Sequence, residues 1–324
     1  MSWQASLTWH HAQSRAKIIT QIREFFAQRQ VVEVETPLLS NHTVTDVHSD
    51  AFSSRYNFLA DASKAQSSTM YLQTSPEFAM KRLLASGYGC IYQVCKAFRH
   101  EPYGRYHNPE FTMLEWYRLG YDHFDLMTEV AELLQTVLAC STPVQMTYQA
   151  AFIKYVTLDP LTASREQLFA VIKRSGKFSE WLLSVDDDTL LQFIFAELIE
   201  CHIGADAPCF IYHFPASQAS LAKISREDPS VAERFECYYR GIELANGFHE
   251  LTDADLQLAR FEQDNVIRTS NRTEKKAIDP NFIQALSSGL PECSGVALGI
   301  DRLVMLALEL DHIDQTLTFT VEQA

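Results

Sequence analysis

The segment Phe98–Tyr117 constrains the fold more than any other. Phe98-Arg99-His100-Glu101 closes one apolar stretch, a polar loop runs to Pro109, and Glu110-Phe111-Thr112-Met113-Leu114-Glu115-Trp116-Tyr117 resumes it. Cys90–Arg99 and Glu110–Arg118 therefore read as two paired strands. Strand side chains alternate between faces, so Phe111, Met113, Glu115 and Tyr117 share one. A face that sets an acid among aromatics suits a pocket that stacks a planar ring at one end and binds a cation at the other. Arg99, a fixed cationic fork, suits a phosphate. Taken alone, a surface hairpin with an Arg–Glu pair accounts for the segment equally well.

Two further stretches carry chemistry. In Gly241-Ile242-Glu243-Leu244-Ala245-Asn246-Gly247-Phe248-His249-Glu250, alternation puts Asn246, Phe248 and Glu250 on one face. Glu243 has the opposite parity and joins them only if the strand bulges, which we place at Asn246-Gly247. Two carboxylates beside phosphates are natural ligands for Mg2+, a hard ion that prefers oxygen. In Ser294-Gly295-Val296-Ala297-Leu298-Gly299-Ile300-Asp301-Arg302, the glycines allow a ligand to approach the backbone. Arg302 then stands in the first turn of an apolar helix, where the dipole favours acids, which points to an anionic or π-stacked partner.

Composition bounds the rest. The chain has 324 residues, 47% of them hydrophobic and 21% charged, a globular balance with room for one large core. Its formal net charge is -14, and the densest basic cluster is Arg272, Lys275 and Lys276. That balance argues against broad contact with a phosphate backbone. Seven cysteines without a C-x-x-C pair read as reduced thiols of a cytoplasmic protein. No secretory signal or membrane-spanning run is visible, so no membrane partner is expected.

Along the chain, a helix is expected from about Ser14 to Arg29 and a short strand at Val31–Pro37. Residues 43–70 read as irregular, with a polar tip at Asp61–Ser68. Ser75-Pro76-Glu77 starts a helix that stops at Gly87. Tyr121–Ala139 is amphipathic, with Phe124, Met127, Val130, Ala131, Leu134, Val137 and Leu138 on its stripe. Segment 141–207 holds helices near 164–174 and 188–201, and Asp186–Asp188 reads as a helix start. Strands return at Phe210–Phe214 and Tyr238–Glu250, helices at 253–269 and Pro280–Ser288, a strand at Gly295–Gly299, a helix from Asp301, and a last strand at 316–321. Such an order implies an α+β fold with a mostly antiparallel sheet flanked by helices.

Together these segments resemble the class II aminoacyl-tRNA synthetases. F-R-x-E followed by a loop and a Phe-bearing strand is similar to motif 2, G-x-A-x-G-x-D-R to motif 3, and the helix ending at Arg29 with Val-Glu-Val-Glu and Pro37 to motif 1, the dimer element. The likeness spans nearly the whole chain. Thr74–Glu77, Arg105–Tyr117 and Glu243–Leu251 are similar to lysyl-tRNA synthetases in particular. The resemblance implies ATP and Mg2+ as cofactors and a homodimer. It implies Arg99, Glu243, Glu250 and Arg302 as catalytic residues, and Glu243 and Glu250 as metal ligands. Arg99, His100, Glu101, Asn108, Phe111, Glu243, Leu244, Gly299 and Arg302 would hold ATP. Ser75, Pro76, Glu77, Glu115, Tyr117, Asn246, Phe248, Glu250 and Ala297 would surround lysine or a lysine isomer, with Glu77 and Glu115 meeting its ammonium groups.

Two departures narrow the resemblance. The motif 1 helix begins near the start, leaving no room for an anticodon-binding domain, so one catalytic domain over 1–324 is expected, with 141–207 a helical insertion between motifs 2 and 3. Ala297 stands where lysyl-tRNA synthetases have Gly. Both departures are shared by the truncated paralogues that ligate β-lysine to elongation factor P, and Tyr212–Ala222 and Ser294–Leu308 are similar to theirs. That likeness implies elongation factor P as acceptor, with no tRNA. A small lysyl-tRNA synthetase and a non-catalytic paralogue are the alternatives; retention of Arg99, Glu101, Glu243, Glu250 and Arg302 disfavours the latter. One methyl in a tight pocket is worth roughly 1–3 kcal/mol of discrimination. Ala297→Gly is therefore expected to raise the use of α-lysine relative to β-lysine in pyrophosphate exchange, and an unchanged ratio would remove Ala297 from selectivity.

Overall fold

The structure is a computed structural model that describes residues 3–47, 49–57 and 67–324. The chain divides into two compact units, residues 1–120 with 251–324, and residues 121–250.

The first unit opens with α1 (Trp9–Gln28), which starts earlier than expected because the Thr8 hydroxyl caps it, accepting from the His11 N–H at 3.2 Å. Ile18, Ile22, Phe25 and Phe26 form its buried stripe. The strand expected at Val31–Pro37 shrinks to β1 (Val32–Glu33). Within 43–70, expected to be irregular, Ser53–Asn57 and residues from Ser67 are strands: β2 (Leu39–Ser40), β3 (Ser53–Asn57) and β4 (Ser67–Leu72) form a small antiparallel sheet in the order β2-β4-β3. Its β3 residues 53–56 are all exposed, so no buried face imprints an alternation on the sequence. The polar tip expected at Asp61–Ser68 lies, up to residue 66, outside the described residues. After α2 (Glu77–Ala85) come β5 (Ile91–Phe98) and β6 (Glu110–Leu119).

The second unit contains α3 (His123–Leu138), β7 (Val144–Thr147), α4 (Tyr148–Val156), α5 (Arg165–Arg174), α6 (Asp187–Ile194) with a widened turn at Phe195–Ile199, β8 (Cys209–Pro215), β9 (Val231–Tyr239) and β10 (Ile242–His249). The buried stripe of α3 includes Leu126 and Leu133, whereas Phe124 at its first turn is exposed. β7 and α4 were not legible, since four strand residues and nine helical ones are too short for a clear period. Asp186 does cap α6, accepting from the Thr189 N–H at 2.7 Å. The strand expected at Tyr238–Glu250 is two strands. Arg240 and Gly241 both have positive φ, 51° and 73°, the conformation of a two-residue hairpin turn between β9 and β10. Strands β8, β9 and β10 are antiparallel and β7 joins β8 in parallel. Tyr148, Phe152, Ile172, Leu190 and Phe195 fill the core between them and the helices.

The first unit resumes with α7 (Ala254–Ser270), α8 (Pro280–Ser287), β11 (Cys293–Gly299) and α9 (Ile300–Ala307). The strand expected at 316–321 is absent; a single 3-10 turn, Ile313–Thr316, precedes bends and turns. β6 lies between β5 and β11, antiparallel to both, and β1 is parallel to β5. No helix among the described residues is long and apolar enough to cross a membrane.

One buried ion pair ties this unit together. Asp301, 1% exposed, accepts from the backbone N–H of Thr112 at 2.6 Å and pairs with Arg15 at 2.7 Å. Arg15 also donates to the Thr112 hydroxyl at 2.9 Å. The first helix, the central strand and α9 thus meet at one charge. Removing one partner of such a pair leaves the other charge buried, which costs about 3–5 kcal/mol. Asp301→Ala is expected to lower the unfolding free energy by about that amount in urea titration, whereas an exposed pair such as Lys177–Glu197 should contribute under about 1 kcal/mol.

Candidate active site

In the first unit the site is built on β6. Its register sets Phe111, Met113, Glu115 and Tyr117 opposite Ala97, Cys95, Gln93 and Ile91 of β5. On the other edge, Met113, Glu115 and Tyr117 face Gly299, Ala297 and Gly295 of β11. The β11 residues opposite this face, Gly295, Ala297 and Gly299, are all small. A Cβ added at Gly299 would touch only the Arg302 side chain, at an ordinary 3.6 Å.

Glu115 is 2% exposed. Its Oε1 accepts from the Tyr117 hydroxyl at 2.7 Å, and its Oε2 is enclosed with no hydrogen bond. Burial, with the charge of Glu77 adding to it, pushes the Glu115 carboxyl up to about 8, against the opposing pull of the Tyr117 and Ser75 hydroxyls and Lys81. A buried acid with an unused oxygen is an acceptor waiting for a cation.

Glu77 differs from the expectation. Its carboxylate already pairs with Lys81 at 2.6 Å, one turn on along α2, and Lys81 is 1% exposed. An ammonium group meets Glu77 only by sharing it with Lys81. Lys81 escaped the sequence reading, although an acid and a lysine four apart on a helix is a visible signal. Ser75 accepts from the Glu77 N–H at 3.0 Å, while Pro76 occupies the cap position.

Arg99 sits over the Phe111 ring, 5.3 Å from its centre, and donates to the Thr74 carbonyl at 3.4 Å. His100 is held through its N–H by the Asp50 carbonyl, and its ring packs edge-on to Phe52. Glu101 is half-buried in the loop. Asn108 is engaged at both ends of its amide, donating to the Glu110 carbonyl at 2.6 Å and accepting from the Val321 N–H at 3.2 Å. That shapes the loop. Arg302 donates to the Tyr106 carbonyl at 3.2 Å and meets His107 at 2.8 Å, so it braces the same loop.

In the second unit, β10 does bulge, but between Glu243 and Ala245, at Leu244, and not at Asn246-Gly247. The consequence is the one anticipated. Glu243, Asn246 and Phe248 stand opposite Tyr238, Glu236 and Arg234, alternate residues of β9, and so share a face. Glu236 lies at the centre of that face and was missed. It is buried, and accepts from Arg234 at 2.6 Å, from Asn246 at 2.9 Å and from the Tyr238 hydroxyl. Burial raises its carboxyl above the ordinary value, against the Arg234 charge. The alternation of Phe235, Cys237 and Tyr239 with Glu236 was its available signal. Glu236 fixes the amide of Asn246, whose Oδ1 is buried without a partner. Phe248 packs on Ala219, Ala222 and Ala232, and Glu250, 1% exposed, bridges to Ala222 through its backbone.

The raised Glu115 carboxyl has a stability consequence. Its folded value is near 8 against an ordinary 4.5, so the unfolded chain releases this proton first as pH rises. Stability of the ligand-free protein is expected to fall between those two values and then level off. Glu115→Gln should flatten that part of the curve. Urea midpoints measured across the range check it, and equal slopes in both proteins would assign the effect elsewhere.

Comparison with known proteins agrees with this arrangement. The family described as tRNA synthetases class II (D, K and N) matches residues 5–323. A protein of Salmonella paratyphi A is 52% identical over 323 residues, covering 100% of this chain and 98% of its own. One from Photobacterium profundum is 52% identical over 322 residues, covering 99% of each, and one from Vibrio parahaemolyticus is 53% identical over 318, covering 98% of each. All three are named elongation factor P–(R)-β-lysine ligase. The chain belongs to the class II tRNA synthetase family of the D, K and N type.

Proposed function

We propose that this chain activates (R)-β-lysine with ATP and transfers the β-lysyl group to the ε-amino group of one lysine on elongation factor P. The full-length identity of 52–53% to three ligases of that name carries the reading. The enclosed Oε2 of Glu115 supports it, since a lysine-type substrate brings a cation to match.

In the first step the amino-acid carboxylate attacks the α-phosphorus of ATP, and the bond to pyrophosphate breaks. In the second the acceptor amine attacks the acyl carbon and AMP leaves. Neither step needs a protein nucleophile, so the residues act by positioning and charge. Arg99 would stabilise the α-phosphate. Phe111 would stack on adenine once Arg99 turns to the phosphates, with Arg302, His100, Glu101, Asn108, Leu244 and Gly299 shaping the nucleotide pocket. Ser75, Pro76, Glu77, Glu115, Tyr117 and Ala297 would receive the substrate, together with Asn246 and Phe248. Glu243 and Glu250 fit Mg2+: the Leu244 bulge gives Glu243 the parity of Asn246 and Phe248, and hard carboxylate oxygens suit the ion. Bound there, Mg2+ would neutralise phosphate charge.

The segment of α1 and β1 would pair two copies, and Val32, Leu38 and Leu39 are exposed on it as such a contact requires. The seven cysteines are all free thiols, in keeping with a reducing cytoplasm.

Incubation with ATP and labelled (R)-β-lysine or α-lysine, offered either elongation factor P or tRNA, tests the function. Label is expected on the protein, with β-lysine preferred; label on tRNA alone would sink the reading. Arg99→Ala is expected to slow adenylate formation by roughly 100- to 1,000-fold, the usual loss for one stabilising donor.

A further inference from the structure

A cluster of nitrogen and oxygen ligands in the second unit takes no part in the function above. His123 opens α3, His213 lies in β8, Glu233 in β9 and His249 in β10. One donor atom each from His123, Glu233 and His249 lies within 4.8 Å of the other two. The Nε2 atoms of His123 and His213 face each other at 3.2 Å, and His249 Nδ1 meets Glu233 Oε2 at 2.5 Å. Lys223 Nζ lies 3.4 Å from the other nitrogen of His249.

The backbone is bent to make this meeting. His213 has φ of 57°, the left-handed region, at a break in the β8–β9 register between Tyr212 and Phe214. A non-glycine residue is strained there, and bulges of this kind re-aim a side chain. Here the re-aimed chain is an imidazole directed at another imidazole. His123 is 4% exposed, and its Nδ1 has no hydrogen-bond partner. At 3.2 Å the two Nε2 atoms form a hydrogen bond only with one of them unprotonated, so a lone pair already points into the cluster.

We propose that His123, His213, Glu233 and His249 form a binding site for a borderline divalent transition metal, with Zn2+ the best match to three imidazoles and a carboxylate. Zn–N and Zn–O bonds of about 2.0–2.2 Å at tetrahedral angles put ligand atoms about 3.3 Å apart. The His123–His213 pair stands at that spacing already. Glu233 and His249 now meet in a hydrogen bond; the ion would replace it and part them by about 1 Å. Burial holds the pKa of His123 down to about 4 and lowers that of His213, so both rings offer lone pairs near neutral pH. Lys223 Nζ is an opposing charge at the edge of the cluster. The donor set separates this ion from Mg2+, which prefers oxygen alone. Bound, it would clamp the start of α3 to β8, β9 and β10.

The test uses the whole chain, stripped with a chelator and titrated with Co2+ and then Zn2+. One equivalent is expected, with the intense visible absorption of tetrahedral Co2+ and no thiolate charge-transfer band, and Zn2+ should raise the melting temperature. His123→Phe and Glu233→Gln should each weaken binding by at least roughly tenfold, and the melting shift should vanish with them. The phenylalanine variant keeps an aromatic at a position already packed on Phe124, 4.0 Å between ring centres, so its fold is checked by the same melt without metal. No stoichiometric binding by the natural chain, equal binding by His123→Phe, or a thiolate band placing the ion on cysteine would each overturn the proposal.

Discussion

β6 is hydrogen-bonded along both edges, and the candidate site residues of the first unit depend on that double pairing. Because β5 and β11 lock its register, Phe111, Glu115 and Tyr117 cannot slip, and a one-residue shift would turn all three to the opposite face. The lock is reinforced at its start, where Thr112 is gripped by Asp301 and Arg15. A buried carboxylate such as Glu115 is tolerable only in a frame this rigid. If the strand relaxed, water would enter and the raised proton affinity would collapse.

The second unit solves a related problem by a different route. β10 must bring Glu243 and Asn246, three residues apart, onto one face, which a regular strand forbids. Inserting Leu244 as a bulge corrects the parity and buries the inserted side chain, at 2% exposure. Glu236 then serves as an anchor for three donors, so that Asn246 presents a fixed amide. The anchor works because a buried carboxylate with three hydrogen bonds is satisfied, whereas one with none would neutralise itself.

How much was legible follows from what each signal depends on. The hairpin at Phe98–Tyr117, the helix after Pro76 and the α9 start are local patterns with strong punctuation, and they hold. So does the shared face of β6, since alternation needs no tertiary knowledge. The bulge was inferred correctly in kind but displaced by two residues, because Asn246-Gly247 carries the usual composition of a break and Leu244 does not. The Arg240-Gly241 turn was missed for the same reason: its positive φ at Arg240 is imposed by the pairing of β9 with β10. Lys81 and Glu236 were missed since their importance lies in partners, Glu77 and Arg234, that only burial makes consequential. Asn108 and Arg302, expected as nucleotide contacts, meet atoms of the adjoining loop in the ligand-free chain, partners that a local pattern does not reveal.

Charge ties the two units to a choice of acceptor. A net charge of -14 repels a phosphate backbone at long range, and a protein can overcome that only with a local basic surface. In the densest basic cluster, Lys276 is paired with Glu274 at 3.1 Å. Inside, the balance is reversed in purpose: Glu115 is an acid kept from ionising by burial and by Glu77. A cationic ligand reverses both penalties at once, because its charge favours the ionised carboxylate and its ammonium fills the empty hydrogen-bond position. In the proposed function, binding of a lysine-type amine at Glu115 would be coupled to loss of its proton. That coupling would disfavour neutral amino acids of similar length, which would leave the acid protonated. An acidic exterior and a buried acid with raised proton affinity both support the proposed reading, a small cation as the donor and an acceptor other than a bare polyanion.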